Sequence, residues 1–166
     1  MMDVTEKRSL AERVRRRFTR LMASAQFARS KPTFWVRPQG ATVEFVHLHL
    51  FSFTSAFRAH LGIRVMNDSF EAAALNGPNT DRFREYNIEF TASPESLDEC
   101  AAELQRFCVE VGEPWFQRWR DPTVLVEAID SPISHEAMAA LRAAMRGECD
   151  GAAITRSERV LGLRLA

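Results

Sequence analysis

The sequence predicts an α+β fold in which a four-stranded antiparallel meander sheet is flanked by N-terminal and C-terminal helices. Three observations predict it. Leu10, Val14, Phe18, Leu21, Met22 and Ala25 recur on one helical face. From Ser30-Lys31-Pro32 onward the apolar period changes to two, and after Ser93-Pro94-Glu95 it returns to helical spacing. A chain of 166 residues with 46% apolar and 27% charged residues is long enough to bury a core without a disulfide or metal. Residues 1–166 are read as a single domain. A basic N-terminal helix occupies 1–29, the sheet and helices 30–128, and a C-terminal helix with a docked tail 129–166.

The first helix is expected to start at Asp3, which has capping-box spacing to Glu6. Thr33–Arg37 reads as a strand, Pro38-Gln39-Gly40-Ala41 as a turn, and Thr42–Phe51 as a second strand. Ser52–Ser55 connects to a third strand, Ala56–Met66. A short helix is expected around Phe70–Leu75, closed by Asn76-Gly77-Pro78. Tyr86, Ile88 and Phe90 alternate with Glu85, Asn87 and Glu89, which predicts a fourth strand over Arg84–Thr91. Ser93 as N-cap and Pro94 at the first helical position open a long helix. Gly112 and Pro114 are expected to interrupt it before the aromatic piece Trp115–Trp119. Ser131-Pro132 or Ser134 opens a last helix that ends near Gly147. The tail, apolar at Val160, Leu161, Leu163 and Leu165, is expected to dock.

A four-residue loop at Ser52–Ser55 fixes a testable register. Val46 lies opposite Leu61, Leu48 opposite Ala59 and Leu50 opposite Phe57, making one apolar face. The other face then pairs His47 with His60 and His49 with Arg58, with Arg64 farther along. Three of the four histidines therefore converge. A His-x-His strand with a third imidazole across from it can offer His47, His49 and His60 to a divalent metal. Arg58 and Arg64 on the same face oppose a cation there, and the preferred reading is a polar patch used for binding. Trp115 and Trp119, four residues apart, either anchor a helix to the sheet or form a binding hot spot.

Charge is unevenly spread. Residues 1–37 hold ten Lys/Arg against three Asp/Glu, and residues 38–166 hold twelve against nineteen, so +7 and −7 cancel. A uniformly basic nucleic-acid or lipid binder is excluded by that balance. Arg13, Arg15, Arg16, Arg17 and Arg20 on the first helix leave open a phosphate-binding alternative, although no zinc finger or ribonucleoprotein motif supports nucleic acid. No apolar run reaches membrane-span length, and no apolar segment behind the N-terminus suggests a secretory signal. Arginine supplies twenty of the twenty-two positive charges, a bias that fits a GC-rich bacterial genome. Cys100, Cys108 and Cys149 match no zinc spacing; they read as reduced thiols in a cytoplasmic protein. There is no nucleophile elbow, phosphate-cradling glycine loop or His-Glu-x-x-His.

The order of features resembles a family of small bacterial domains of unknown function. The residues that carry it are Phe27 through Phe34-Trp35-x-Arg37, the Val43–Leu50 strand with His47, Phe57 to Leu61-Gly62-Ile63, and Pro114-Trp115-Phe116. The resemblance covers about residues 5–128. It implies an N-terminal helix on an aromatic-rich antiparallel meander and implies no activity or cofactor. Domains of this shape look like some immunity proteins of bacterial toxin systems, an analogy of fold alone. The expected function is therefore non-enzymatic binding of a protein partner, an immunity-type role against a toxin being the favoured case. A metal-dependent enzyme built on the three histidines is the alternative, with phosphate or nucleic-acid binding by the first helix as the second.

Overall fold

The computed structural model describes residues 2–163. Helix α1 (Val4–Met22) buries Leu10, Ala11, Val14, Phe18 and Met22, the face that the helical period marks. It stops earlier than expected. A single 3₁₀ turn over Ala23–Ala25 leads to Gln26, whose φ of 65° reverses the chain into the sheet. Asp3 stands at the N-cap without a side-chain capping bond, so the expected capping box does not form.

Strands β1 (Ala28–Lys31), β2 (Phe34–Gln39), β3 (Thr42–Leu50) and β4 (Phe57–Val65) form an antiparallel sheet in the order β1-β2-β3-β4. The fold is α+β, as expected, but one strand has changed identity. Arg84–Thr91 is not a strand. Only an isolated Ala56–Glu89 bridge joins it to the sheet, through Phe57 N–H to Ile88 O and Phe90 N–H to Ser55 O. Its alternation reflects docking: Tyr86 and Phe90 are buried in the core, while the Glu103 carboxylate and Arg106 guanidinium tie the backbone at Asn87 and Glu85. The fourth strand is β1, on the opposite edge.

The β3–β4 register matches the expected one at every pair considered: Val46–Leu61, His47–His60, Leu48–Ala59, His49–Arg58 and Leu50–Phe57. Alternation then sorts the side chains. Trp35, Val46, Leu48, Phe57, Ala59 and Leu61 face α1 and the long helix α2 (Pro94–Phe107), and all are fully enclosed. Phe18 meets Trp35 edge-on at 4.9 Å between ring centroids, while Trp35 Nε1 donates to the Thr19 hydroxyl. Each such fully buried large apolar side chain is worth roughly 1.5–3 kcal/mol of transfer free energy.

Ser93 caps α2 by accepting from Ser96 N–H at 3.1 Å, and Pro94 occupies its first turn. Around Gly112 and Pro114 the regular α-helix is interrupted, as expected, here by a π-helical turn over Cys108–Gly112 that precedes α3 (Glu113–Trp119). A widened turn accommodates the missing N–H and the ring of Pro114. Two further helices follow: α4 (Pro122–Glu127), which periodicity does not reveal, and α5 (His135–Met145), capped by Ser134. The tail forms α6 (Gly151–Leu161), and its Leu161 docks on Val36, Val43 and Phe45, on the sheet face away from α1. Leu165, also expected to dock, lies outside the described residues.

No helix forms at Phe70–Leu75, and Arg64 supplies the reason. Its guanidinium gathers the carbonyls of Asp68, Phe70 and Ala72 at 2.8–3.0 Å, turning all three toward one point, whereas a helix would align them along its axis. The following residues cover the outer edge of β4. The Asn76 amide accepts from Ile63 N–H and donates to Ile63 O, Gly77 N–H donates to Leu61 O, and Leu61 N–H donates to Pro78 O. An otherwise bare edge is thereby closed.

Candidate functional site

The sheet face turned away from α1 and α2 is covered at one end only. Near β2 and the start of β3, Leu161 and Val160 of α6 pack on Val36, Val43 and Phe45. Gly62 on β4 leaves space for the Phe45 ring, which would overlap any Cβ placed there. Beyond Phe45 the helices end and the face opens. Phe34 of β2 stands opposite His47 of β3, and His47 opposite His60 of β4.

Aromatic rings run along this opening. Phe34 and His47 lie 4.7 Å apart, His49 and Phe51 5.6 Å, and Phe51 and Phe53 5.4 Å. Lys31 sits over the Phe34 ring and Arg58 over the Phe51 ring at 5.0 Å. The strip ends at the β3–β4 hairpin tip, where Phe53 is 83% exposed. Nothing in the fold requires that exposure. Lys7 of α1 holds the tip from behind, its ammonium donating to the carbonyls of Phe51 and Ser52.

The three histidines differ. His49 is exposed, whereas His47 and His60 are half-buried. Burial pushes the His47 imidazole down to about 4, and repulsion from His49, His60, Arg15 and Lys31 adds to it. His60 is lowered too, first by burial, with its bonds to backbone groups of Gly77 and Leu75 opposing. Among the described residues His47 Nδ1 is enclosed without a hydrogen-bond partner. Among the described residues no group of three or more His, Cys, Asp or Glu side chains is arranged to hold a metal. The His47, His49 and His60 trio thus shares a face without forming such a group.

Arg58 pairs with Asp81 at 2.6 Å at the edge of the face. Arg64 belongs elsewhere: it is 3% exposed and spends its guanidinium on Ser157 and the 66–72 backbone. It is a framework residue. Trp119 is 2% exposed and lies in the main core with Phe116, so of the two tryptophans only Trp115 reaches a surface. It packs beside Gly77 and shares a groove with His60 and Arg82.

No family model, curated protein or solved structure matches the chain. Its site must therefore be judged on its own geometry.

Part of the positive charge on the first helix is paired within the fold. Arg15 and Arg16 pair with Glu12, Arg17 with Asp98, and Arg15 also covers the Phe57 ring. Among the described residues no helix is long and apolar enough to cross a membrane. Cys100 and Cys108 are buried and Cys149 is exposed. Burial raises the Cys100 thiol to about 12 and pushes Cys108 in the same direction, so both buried thiols are inert.

Two features escape a reading confined to β3 and β4. Phe34 joins the patch only through the β2–β3 register, which its alternation with Trp35 encodes. The second is a buried charge cluster on the helix-covered face. Glu44, 2% exposed, accepts from Arg37 at 2.7 Å and from Arg120 at 2.9 Å, and Arg37 also reaches Glu113 at 2.8 Å. The signal was a carboxylate in phase with Val46, Leu48 and Leu50, a position that demands a buried partner.

Proposed function

We propose that this chain is a non-enzymatic protein-binding domain that docks an acidic surface of a partner protein on the open sheet face. The observation that supports the reading is the strip Phe34, His47, His49, Phe51 and Phe53 with Lys31 and Arg58 beside it. Aromatic and arginine side chains are enriched at the buried centre of protein interfaces. A strip fixed on strands is also preorganised, so docking loses little conformational entropy. Lys31 and Arg58 bring positive charge beside the aromatic strip, Arg58 being paired with Asp81, which favours an acidic partner and speeds encounter. An immunity-type role is the specific form of the proposal: a bacterial toxin's acidic active-site rim would be the docked surface.

The test is coexpression with the product of an adjacent toxin-type gene, followed by pull-down. Wild-type chain should protect growth and form a complex. Arg58→Glu combined with Phe53→Ser should lose both, while Arg13→Glu on the outer face of α1 should keep both. Complex formation untouched by the face variant, or abolished by the α1 variant alone, would overturn the proposal.

A further inference from the structure

A second site lies apart from the open face and rests on different residues. A cavity of about 530 Å³ opens between the far end of β4, the 66–76 loop and the first turn of α5. That volume suits a small organic molecule. Ile63, Val65, Ile133 and Ala137 supply apolar walls, and Phe70, 53% exposed, stands at the mouth.

The polar groups lining the cavity divide into spent and unspent. The Asn76 amide is used on both backbone groups of Ile63. Arg64 directs four N–H groups at Ser157 and the carbonyls of Asp68, Phe70 and Ala72. Ser134 Oγ accepts from Ala137 N–H as the α5 cap. Asp68 is different. It is 9% exposed, and only Oδ1 is engaged, by Phe70 N–H at 3.2 Å; among the described residues Oδ2 has neither a hydrogen-bond nor an ion-pair partner. Glu136, also lining the cavity, has no ion pair among the described residues either.

The cavity therefore presents unfilled anionic acceptors on an apolar wall, while its donors are largely engaged by the protein. We propose that it binds a small amphipathic primary amine, the ammonium on Asp68 and the hydrocarbon body against Ile63, Val65 and Ile133. Asp68 is already attracted by the nearby Arg64 charge, but Arg64 spends its N–H groups on Ser157 and backbone carbonyls, so an ammonium would supply the N–H donors that Oδ2 lacks. A carboxylate ligand would instead meet Asp68 and Glu136, and the enclosed Arg64 charge is already dispersed into three carbonyls. The positive end of the α5 dipole, which would disfavour a cation, is countered by Glu136 in the first turn of α5.

Amide-resolved NMR titration tests this, with phenethylamine as probe and phenylpropionate as its anionic counterpart. Phenethylamine should give saturable shifts confined to residues 63–70 and 133–137, and phenylpropionate should give none there. Asp68→Asn keeps the Oδ1 acceptor for Phe70 and should weaken binding by at least about tenfold, or about 1.4 kcal/mol. Ala74→Trp, at an exposed rim position, should block binding without touching Asp68, and it decides the matter if the Asn variant is poorly folded. Equal binding of phenylpropionate, unchanged affinity in both variants, or absent or scattered shifts would overturn the proposal.

Discussion

Replacing Glu44 with glutamine removes one charge from the centre of the buried cluster and leaves its shape. In the wild type the carboxylate accepts from Arg37 Nε at 2.7 Å and Arg120 Nε at 2.9 Å. Arg37 is additionally held by Glu113 and the Ala25 carbonyl, and stacks 4.2 Å from the centre of the Phe27 ring. Removing one partner of a buried pair costs about 3–5 kcal/mol when the other charge is stranded. Here the stranding is incomplete. Arg120 is 38% exposed at its side chain and can rehydrate, so its share falls in the ~0–1 kcal/mol range of surface pairs. Arg37 retains Glu113, which trims its loss. The expected cost is about 2–4 kcal/mol, equivalent to a fall in Tm of roughly 5–12 °C for a chain of this size. Urea denaturation and calorimetry both read it, with Arg146→Ala, which breaks the exposed pair with Glu148, as the control expected to cost about 1 kcal/mol or less. A Glu44→Gln variant within about 1 kcal/mol of wild type, or one no worse than Arg146→Ala, would refute the view that this carboxylate organises the cluster.

Three further outcomes follow from the same geometry. His47 is held near 4, below its ordinary value of 6.5, so between those pH values the unfolded chain binds more protons than the folded one. Stability should therefore fall as pH drops from 6.5 towards 4 and level off above; denaturation curves across that range should show the slope, and His47→Phe should flatten it. Gly62→Ala forces a methyl into the Phe45 ring and should destabilise by about 1–3 kcal/mol through overpacking, read as a shift in denaturation midpoint at constant slope. A thiol-specific chromogenic reagent should titrate Cys149 alone in the folded protein and all three cysteines after denaturation, because Cys100 and Cys108 are buried; prompt reaction of a second thiol would contradict the packing of α2.

The strands show which parts of the fold the sequence carries locally. The β3–β4 register was legible because nine-residue strands with one apolar face tolerate no slip of a single position. β1 was not legible. It spans four residues with no alternation, and Ser30 and Lys31 are fastened by bonds to the Leu161 and Val160 carbonyls some 130 residues away. Arg84–Thr91 misled for the complementary reason: period-two burial arises wherever an extended segment lies on a core, with or without a paired neighbour. At the candidate site, His47, His49, Arg58 and His60 were placed together by alternation and by the register that a four-residue Ser52–Ser55 loop sets. Arg64 shared their parity and still left the patch, because the 66–72 loop folds back over its guanidinium. Parity assigns a face; only tertiary structure says whether that face is covered.

The same distinction governs the charge. Separated along the chain, +7 and −7 suggest two halves that attract a partner each. In the fold they meet one another. Arg17 of the basic segment pairs with Asp98, and Arg37 with Glu44 and Glu113, all from the acidic remainder. Arg15 and Arg16 are engaged by Glu12 within α1 itself. Charge paired in this way contributes little field at the surface. At the open end of the sheet Lys31 lies over the Phe34 ring, and Arg58, paired with Asp81, over the Phe51 ring. Electrostatic steering on this chain would accordingly arise from a local patch beside aromatic rings, where a partner's carboxylates would be desolvated on contact, and the net charge of the whole chain would not report it.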